Sequence, residues 1–150
     1  MRAVIQRVSR ASVEIENKIT AKINIGLLIF LGIEVVDNKE DSVWLANKIV
    51  NLRIFSDNDG KMNNSLLDVD GEILVVSQFT LHAKTKKGSR PSYVNAARPE
   101  HANLLYEQFK KNLSGLISKE IQSGNFGADM KVSLINDGPV TIVIDTKAKE

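Results

Sequence analysis

A chain of 150 residues with 20 Lys+Arg against 18 Asp+Glu carries a formal charge of only +2. That lacks the large basic excess of many nucleic-acid binders, although local clusters can still contact phosphate. Cysteine is absent, which excludes disulfides and thiolate metal sites in this chain and fits a reducing, cytoplasmic compartment. The length suits one domain, residues 1–150, burying roughly 70% of the surface exposed by its unfolded form, and no apolar run approaches the ~20 residues of a membrane span.

Taken in order, "MRAVIQRVS" alternates apolar and polar residues and predicts a first strand, with a second around "SVEIE" and a turn at Glu16-Asn17-Lys18. "GLLIFLGI", residues 26–33, reads as a buried strand. From Asn38 to Leu52, Val43, Ala46, Ile49 and Val50 recur at helical spacing, with Asn38 or Asp41 able to cap the first turn. "DNDGKMNNS", residues 57–65, reads as a loop, and "GEILVVSQFTL", residues 71–81, as a strand running into the basic loop "HAKTKKGSRPS". Pro99 suits the first turn of a helix whose apolar stripe is Ala102, Leu105, Phe109, Leu113 and Leu116. "SLINDGPVTIVI", residues 133–144, predicts two strands folded about Asn136-Asp137-Gly138-Pro139, since Asp-Gly supplies the positive φ of a tight hairpin. Pro139 is the anomaly there, because it has no N–H for a following strand and pushes Gly138 towards extended backbone. The inventory predicts an α/β fold: a curved, mainly antiparallel, barrel-like sheet with two helices covering one face.

Three stretches hold residue types suited to chemistry. A strand period of two puts Leu74, Val76, Gln78, Thr80 and His82 on one face and Ser77 and Phe79 on the other. Either a buried strand simply emerges into solvent here, or Ser77, Gln78 and Thr80 line a site with His82 as a base beside the Thr80 hydroxyl. No carboxylate to orient His82 is evident, and nothing resembles a nucleophile elbow. Lys84, Lys86, Lys87 and Arg90 form either a solvated loop or a lip that grips phosphates without reading bases. Gly138-Pro139 is either a quirk of a hairpin or a means of aiming two consecutive carbonyls, since an X-Pro bond becomes cis for only about 0.5–1 kcal/mol. The two histidines are too few for a histidine-rich metal centre, and no HExxH, Walker or GxGxxG pattern occurs, so neither metal nor cofactor is expected. Phe126 and Met130 read first as core residues.

"SQFTL" at 77–81, "GSRPSY" at 88–93 and "FGADMKVSLINDGPVT" at 126–141, with the opening "MRAVIQRVSRASV", resemble the D-aminoacyl-tRNA deacylase family, formerly called D-Tyr-tRNA(Tyr) deacylase. The combination, in this order and over essentially the whole chain, is highly specific. The resemblance implies a homodimer that hydrolyses the ester between a D-amino acid, or glycine, and the 3′-terminal adenosine of tRNA, a chiral proofreading activity in translation. It implies that Ser77, Gln78, Phe79 and Thr80 form the catalytic segment and that Gly138 and Pro139 enter it from the other subunit. It further implies that Arg7 holds the Gly-Pro segment, and that the stretch from Phe126 to Met130 seats the terminal adenine. Lys86, Lys87 and Arg90 are then expected along the tRNA.

An aminoacyl ester is already activated, so positioning and oxyanion stabilisation by backbone N–H groups near Gln78 and Phe79 are expected to suffice, with the ribose 2′-hydroxyl as a ready participant. A covalent Thr80 nucleophile is the competing mechanism. Because selectivity must reject every L-amino acid, the Gly138-Pro139 bond is expected to be cis and its carbonyls to block the space of an L side chain. The alternative from another class is a non-catalytic RNA-binding or assembly module with a basic loop and an interface-building hairpin.

Overall fold

In the computed structural model, which describes residues 1–150, the two predicted N-terminal strands are one continuous strand, β1 (Arg2–Ile15). The predicted turn follows it, with Glu16 and Asn17 both at positive φ (49° and 61°), and returns the chain as β2 (Lys18–Ile23). β2 is too polar to stand out in sequence; only Ala21 and Ile23 of it are buried. β3 (Gly26–Gly32) is the apolar run between glycines.

Helix α1 (Lys39–Val50) opens on a capping box: the Asn38 side chain accepts the Asp41 N–H at 3.1 Å, and the Asp41 carboxylate accepts the Asn38 N–H at 2.9 Å. Both predicted capping residues are used. A small ladder of β4 (Phe55–Ser56) and β5 (Met62–Asn64) borders the polar loop, and β6 (Glu72–Ser77) follows. Helix α2 (Pro99–Ser114) begins at its proline, and β7 (Gln122–Ser123) and β8 (Lys131–Asp145) complete the chain.

β1 organises the sheet. Along one edge its first half pairs with β3 and its second with β2; along the other, β8 accompanies it throughout, all antiparallel. β3 pairs parallel with β6, and β6 with β7, which makes the curved sheet mixed with antiparallel pairing in the majority. Both faces are apolar. Ala3, Ile5, Leu27, Ile29, Leu31, Ile73 and Val75 pack under Leu45, Ile49, Leu105, Phe109 and Leu113 of the two helices. Val8, Val13, Ile23, Leu28, Leu74 and Val76 fill the inside of the curl with Met130, Val132 and Leu134. Burial on both sides explains why β3 and β6 are continuous apolar runs instead of alternating ones. At the start of β1 the Met1 ammonium is fully buried against the Asp37 carboxylate and donates to the Thr146 hydroxyl at 2.6 Å.

The predicted hairpin at 136–139 is absent. Residues 131–145 are one strand running along β1, and its register slips where Gln6 opposes Thr141 but Val8 opposes Asn136. The extra residues bulge out. Asn136 closes the bulge with its side chain, whose Oδ1 accepts the Val140 N–H at 2.8 Å and whose Nδ2 donates to the Thr141 hydroxyl at 3.0 Å. Asp-Gly is a local turn signal, but here a long free edge of β1 captures both flanks.

Candidate active site

β6 stops at Ser77, earlier than the alternation predicts, and Phe79–His82 form a 3₁₀ turn. The two-residue period therefore does not extend to Thr80 and His82. The Gln78 N–H is taken by the Leu31 carbonyl at 2.8 Å, and the first bond inside the turn is from the Leu81 N–H to the Gln78 carbonyl at 3.3 Å. The Phe79 and Thr80 N–H groups precede that bond, where the first donors of a helical turn have no partner within it.

The turn lies on Gly32. A Cβ built there would come within 3.0 Å of the Gln78 carbonyl oxygen, the His82 ring and Leu81 Cβ, so only glycine lets the turn sit this close. Beside it opens a cavity of about 560 Å³ at the ends of β3 and β6. Ser77, Gln78 and Phe79 form one wall, and Phe126 to Met130 another, with Tyr93, Ala96 and Ala97 also in the lining. The Phe79 ring meets Tyr93 edge-on with centroids 5.0 Å apart. Deeper in, the Tyr106 hydroxyl donates to the Val75 carbonyl at 3.0 Å, and burial pushes its phenol well above the ordinary value, so it stays a neutral donor tying α2 to β6.

Thr80 stands just behind this wall. Its hydroxyl accepts the Gln78 side-chain amide at 2.6 Å and has no hydrogen bond to His82. His82 is 4% exposed, and its Nε2 has no partner at all, so the ring is packed into the turn instead of serving as a base to Thr80.

Gly138 and Pro139 are elsewhere. Both are exposed at the crest of the β8 bulge and neither lines the cavity of its own chain; the peptide bond between them is cis. Arg7, 8% exposed, supports the bulge from beneath: its Nε donates to the Asp137 carbonyl at 2.8 Å and its Nη1 to the Ile54 carbonyl at 2.6 Å. Gly138 has φ +138°, and a Cβ on it would come 2.9 Å from Arg7 Nη2 and 2.8 Å from Val140 Cγ2. Lys86, Lys87 and Arg90 lie exposed on the loop before Tyr93, outside the cavity lining.

The model of the D-Tyr-tRNA(Tyr) deacylase family matches residues 4–145. A D-aminoacyl-tRNA deacylase of Bacteroides fragilis is 61% identical over 150 residues, all of both chains. One from Flavobacterium psychrophilum is 62% identical over the same full length. The chain belongs to the D-Tyr-tRNA(Tyr) deacylase family.

Membership in the D-Tyr-tRNA(Tyr) deacylase family makes it a hydrolase and decides between the enzyme and the non-catalytic module in favour of the enzyme. Among solved structures, a c-Myc DNA unwinding element binding protein superposes with a TM-score of 0.92 at 40% identity, covering 97% of this chain and 98% of that one. A probable eukaryotic D-amino acid tRNA deacylase superposes at 0.80 and 17% identity, over 95% and 97% of the two chains, a likeness of fold.

Ile33, Ala96, Ala97, Pro99 and Ala102 also line the cavity; the sequence places Pro99 and Ala102 in a helix and none of the five in a site. The 95–97 stretch reaches it because the Ala97 N–H bonds the Ile33 carbonyl at 2.9 Å and the Val35 N–H bonds the Asn95 carbonyl at 3.1 Å. The only sequence signal for this wall is that Tyr93 ends the "GSRPSY" motif.

Proposed function

We propose that the chain hydrolyses the ester joining a D-amino acid, or glycine, to the 3′-terminal adenosine of tRNA, and that it does so as a homodimer with Gly138 and Pro139 of each copy closing the cavity of the other. One observation carries the shared site: in a chain of a deacylase family, the cavity holds Ser77, Gln78, Phe79, Phe126 and Met130, while Gly138 and Pro139 protrude from a braced bulge away from it. A site that needs them needs a second copy, and a twofold contact supplies two such sites at once.

In this reading Phe126 and Met130 hold the adenine, and the exposed Lys86, Lys87 and Arg90 follow the phosphates behind it. Water adds to the ester carbonyl, and the free Phe79 N–H meets the developing oxyanion, a donor worth about 2.7–4 kcal/mol when aimed correctly. The terminal ribose 2′-hydroxyl orients the water, and the bond to the ribose 3′-oxygen then breaks with a proton passing to that oxygen. Thr80 is a shaping and hydrogen-bonding residue. An alcohol is a weak nucleophile without an adjacent base, and the Thr80 hydroxyl is bonded by the Gln78 amide. The bulge rejects L substrates with main-chain oxygens, which block the space of an L side chain whatever its identity and leave room for a Cα hydrogen, so that glycine is also accepted. Cytoplasmic tRNA is the matching substrate pool.

The test is to incubate the protein with D-tyrosyl-tRNA, glycyl-tRNA and L-tyrosyl-tRNA and follow release of free amino acid. Release from the first two with the L ester intact is expected; equal hydrolysis of both tyrosyl enantiomers sinks the filter. Mixing Gln78→Ala and Arg7→Ala homodimers under exchange should restore activity, because one site of each heterodimer receives an intact wall and an intact bulge. No recovery after demonstrated exchange counts against the shared site.

A further inference from the structure

The turn that carries Gln78, Phe79 and Thr80 is attached to the rest of the molecule in an unequal way. Its front end is bonded through the Gln78 N–H to β3, and its underside rests on Gly32. Its far end has one buried polar side chain, His82, whose Nε2 bonds nothing. Beyond the turn the chain pairs with Ser92 through the Lys84 N–H and carbonyl, and the one side chain that grips the end itself by hydrogen bonding comes from β1. Arg2, paired across the sheet with Gly32 on one side and Asp145 on the other, extends its guanidinium over both neighbours. Nη1 donates to the Leu81 carbonyl at 2.6 Å, while Nε and Nη2 donate to Asp145 Oδ2 at 3.1 and 2.8 Å. The Asp145 carboxylate is itself oriented, since its Oδ1 accepts the Lys147 N–H at 2.9 Å. Neither Arg2 nor Asp145 lines the cavity.

We propose that Arg2 is a positioning residue for deacylation, which by bonding the Leu81 carbonyl and the Asp145 carboxylate together keeps the turn seated on Gly32 and its leading N–H groups aimed into the cavity. The proposal rests on the reading of that cavity as the deacylation site. A planar guanidinium is suited to the task, because one rigid fork serves two acceptors in fixed relation, whereas a lysine ammonium is a point charge on a flexible stem. The adenosine and amino acid are held by other residues, so loosening the turn misaims the oxyanion donor without removing a binding contact. Misplacement of this kind lowers turnover more than affinity.

The experiment is single-turnover deacylation of D-tyrosyl-tRNA over a range of enzyme concentrations, for wild type, Arg2→Met, Arg2→Lys and Gln78→Ala, with folding checked by circular dichroism. Arg2→Met is expected to lower the saturating rate about tenfold while shifting the half-saturating concentration by less than about twofold, with Arg2→Lys between it and wild type. A folded Arg2→Met with the wild-type saturating rate overturns the proposal, as does a loss confined to half-saturation. If Arg2→Met does not fold, a wild-type rate in Arg2→Lys overturns it equally. Gln78→Ala separates the two levels of inference: if it is inactive while Arg2→Met is fully active, only the role of Arg2 falls. If both variants are fully active, the assignment of the site falls and takes this proposal with it.

Discussion

Two arginines of one strand support the two irregular segments of this fold, and they do so by different physics. Arg7 is nearly buried and gives its donors to two carbonyls, with only the largely exposed Asp137 carboxylate within 3.7 Å as a counter-charge. The Arg2 side chain is 37% exposed and divides its donors between one carbonyl and a formal ion pair with Asp145. The first arrangement is a buried charge satisfied by dipoles, where truncation leaves the Ile54 carbonyl unpaired inside and the bulge unbraced. The second is a half-buried pair with solvent at its Arg2 end, cheaper to lose in stability even where its geometry matters. Importance to the fold and importance to the site need not coincide, and these two residues are the place to separate them.

Of the two arginines, Arg7 should show the larger effect on truncation to Ala. Leaving the Asp137 and Ile54 carbonyls without their donor should cost about 2–4 kcal/mol of stability in denaturant unfolding, and Arg7→Lys should recover only part, since one ammonium does not reproduce the fork. A loss below about 0.5 kcal/mol would mean that the bulge is held by Asn136 and the flanking ladder alone. Asp37→Ala offers a calibration of comparable size: it strands the buried Met1 ammonium, and removing one member of a buried pair costs about 3–5 kcal/mol. Arg2→Met should cost no more than about 1 kcal/mol. A larger loss would erase the contrast between the two arginines. Added salt should sharpen it, because screening weakens the half-buried Arg2–Asp145 pair more than the Arg7 contacts, which are to neutral carbonyls. Stability of Arg2→Met should therefore approach wild type as salt rises, while that of Arg7→Ala keeps its distance.

The smallest effect concerns pH. Burial raises the Asp145 carboxyl, but the Lys147 N–H and the bonds and charge of Arg2 outweigh it, and the folded value lies below the ordinary one. Asp41 behaves alike, with Lys147 and the Asn38 N–H overcoming burial. A depressed carboxyl contributes stability that is complete above its unfolded value, 3.8 for both groups, and fades as pH falls through the folded one. Unfolding midpoints should be flat from neutrality to about pH 5 and decline below. Asp145→Asn should make that decline shallower, and an unchanged acid limb would mean that Arg2 and Asp145 do not pair in solution.

Much of this was legible in the chain, and what was hidden was consistently non-local. The helices announced themselves through spacing, through Asn38 and Asp41 at one start and Pro99 at the other. The apolar runs of β3 and β6 stood out because both faces are covered. The motif residues Ser77 to Phe79 and Phe126 to Met130 do meet across one cavity, although some 50 residues of sequence lie between them. The hairpin failed because Asn-Asp-Gly is judged on four residues, while its outcome depends on a 14-residue strand far earlier in the chain. β2 was missed because pairing with β1, not its own composition, makes Lys18–Ile23 a strand. The premature end of β6 follows from bare space over Gly32, and a glycine advertises no contact.

That the Gly138–Pro139 crest interrupts a ladder, instead of capping a hairpin, has a consequence for any surface brought against it. Both of its flanks are zipped to the same strand, with Ile142 to Asp145 on one side and Lys131 to Ile135 on the other opposite β1. The crest is thus presented ready-made. A flexible loop tip would surrender conformational entropy on first touching a surface, at about 1–2 kcal/mol for each residue ordered. This one has surrendered it already, during folding, so whatever receives it gains the full benefit of the contact.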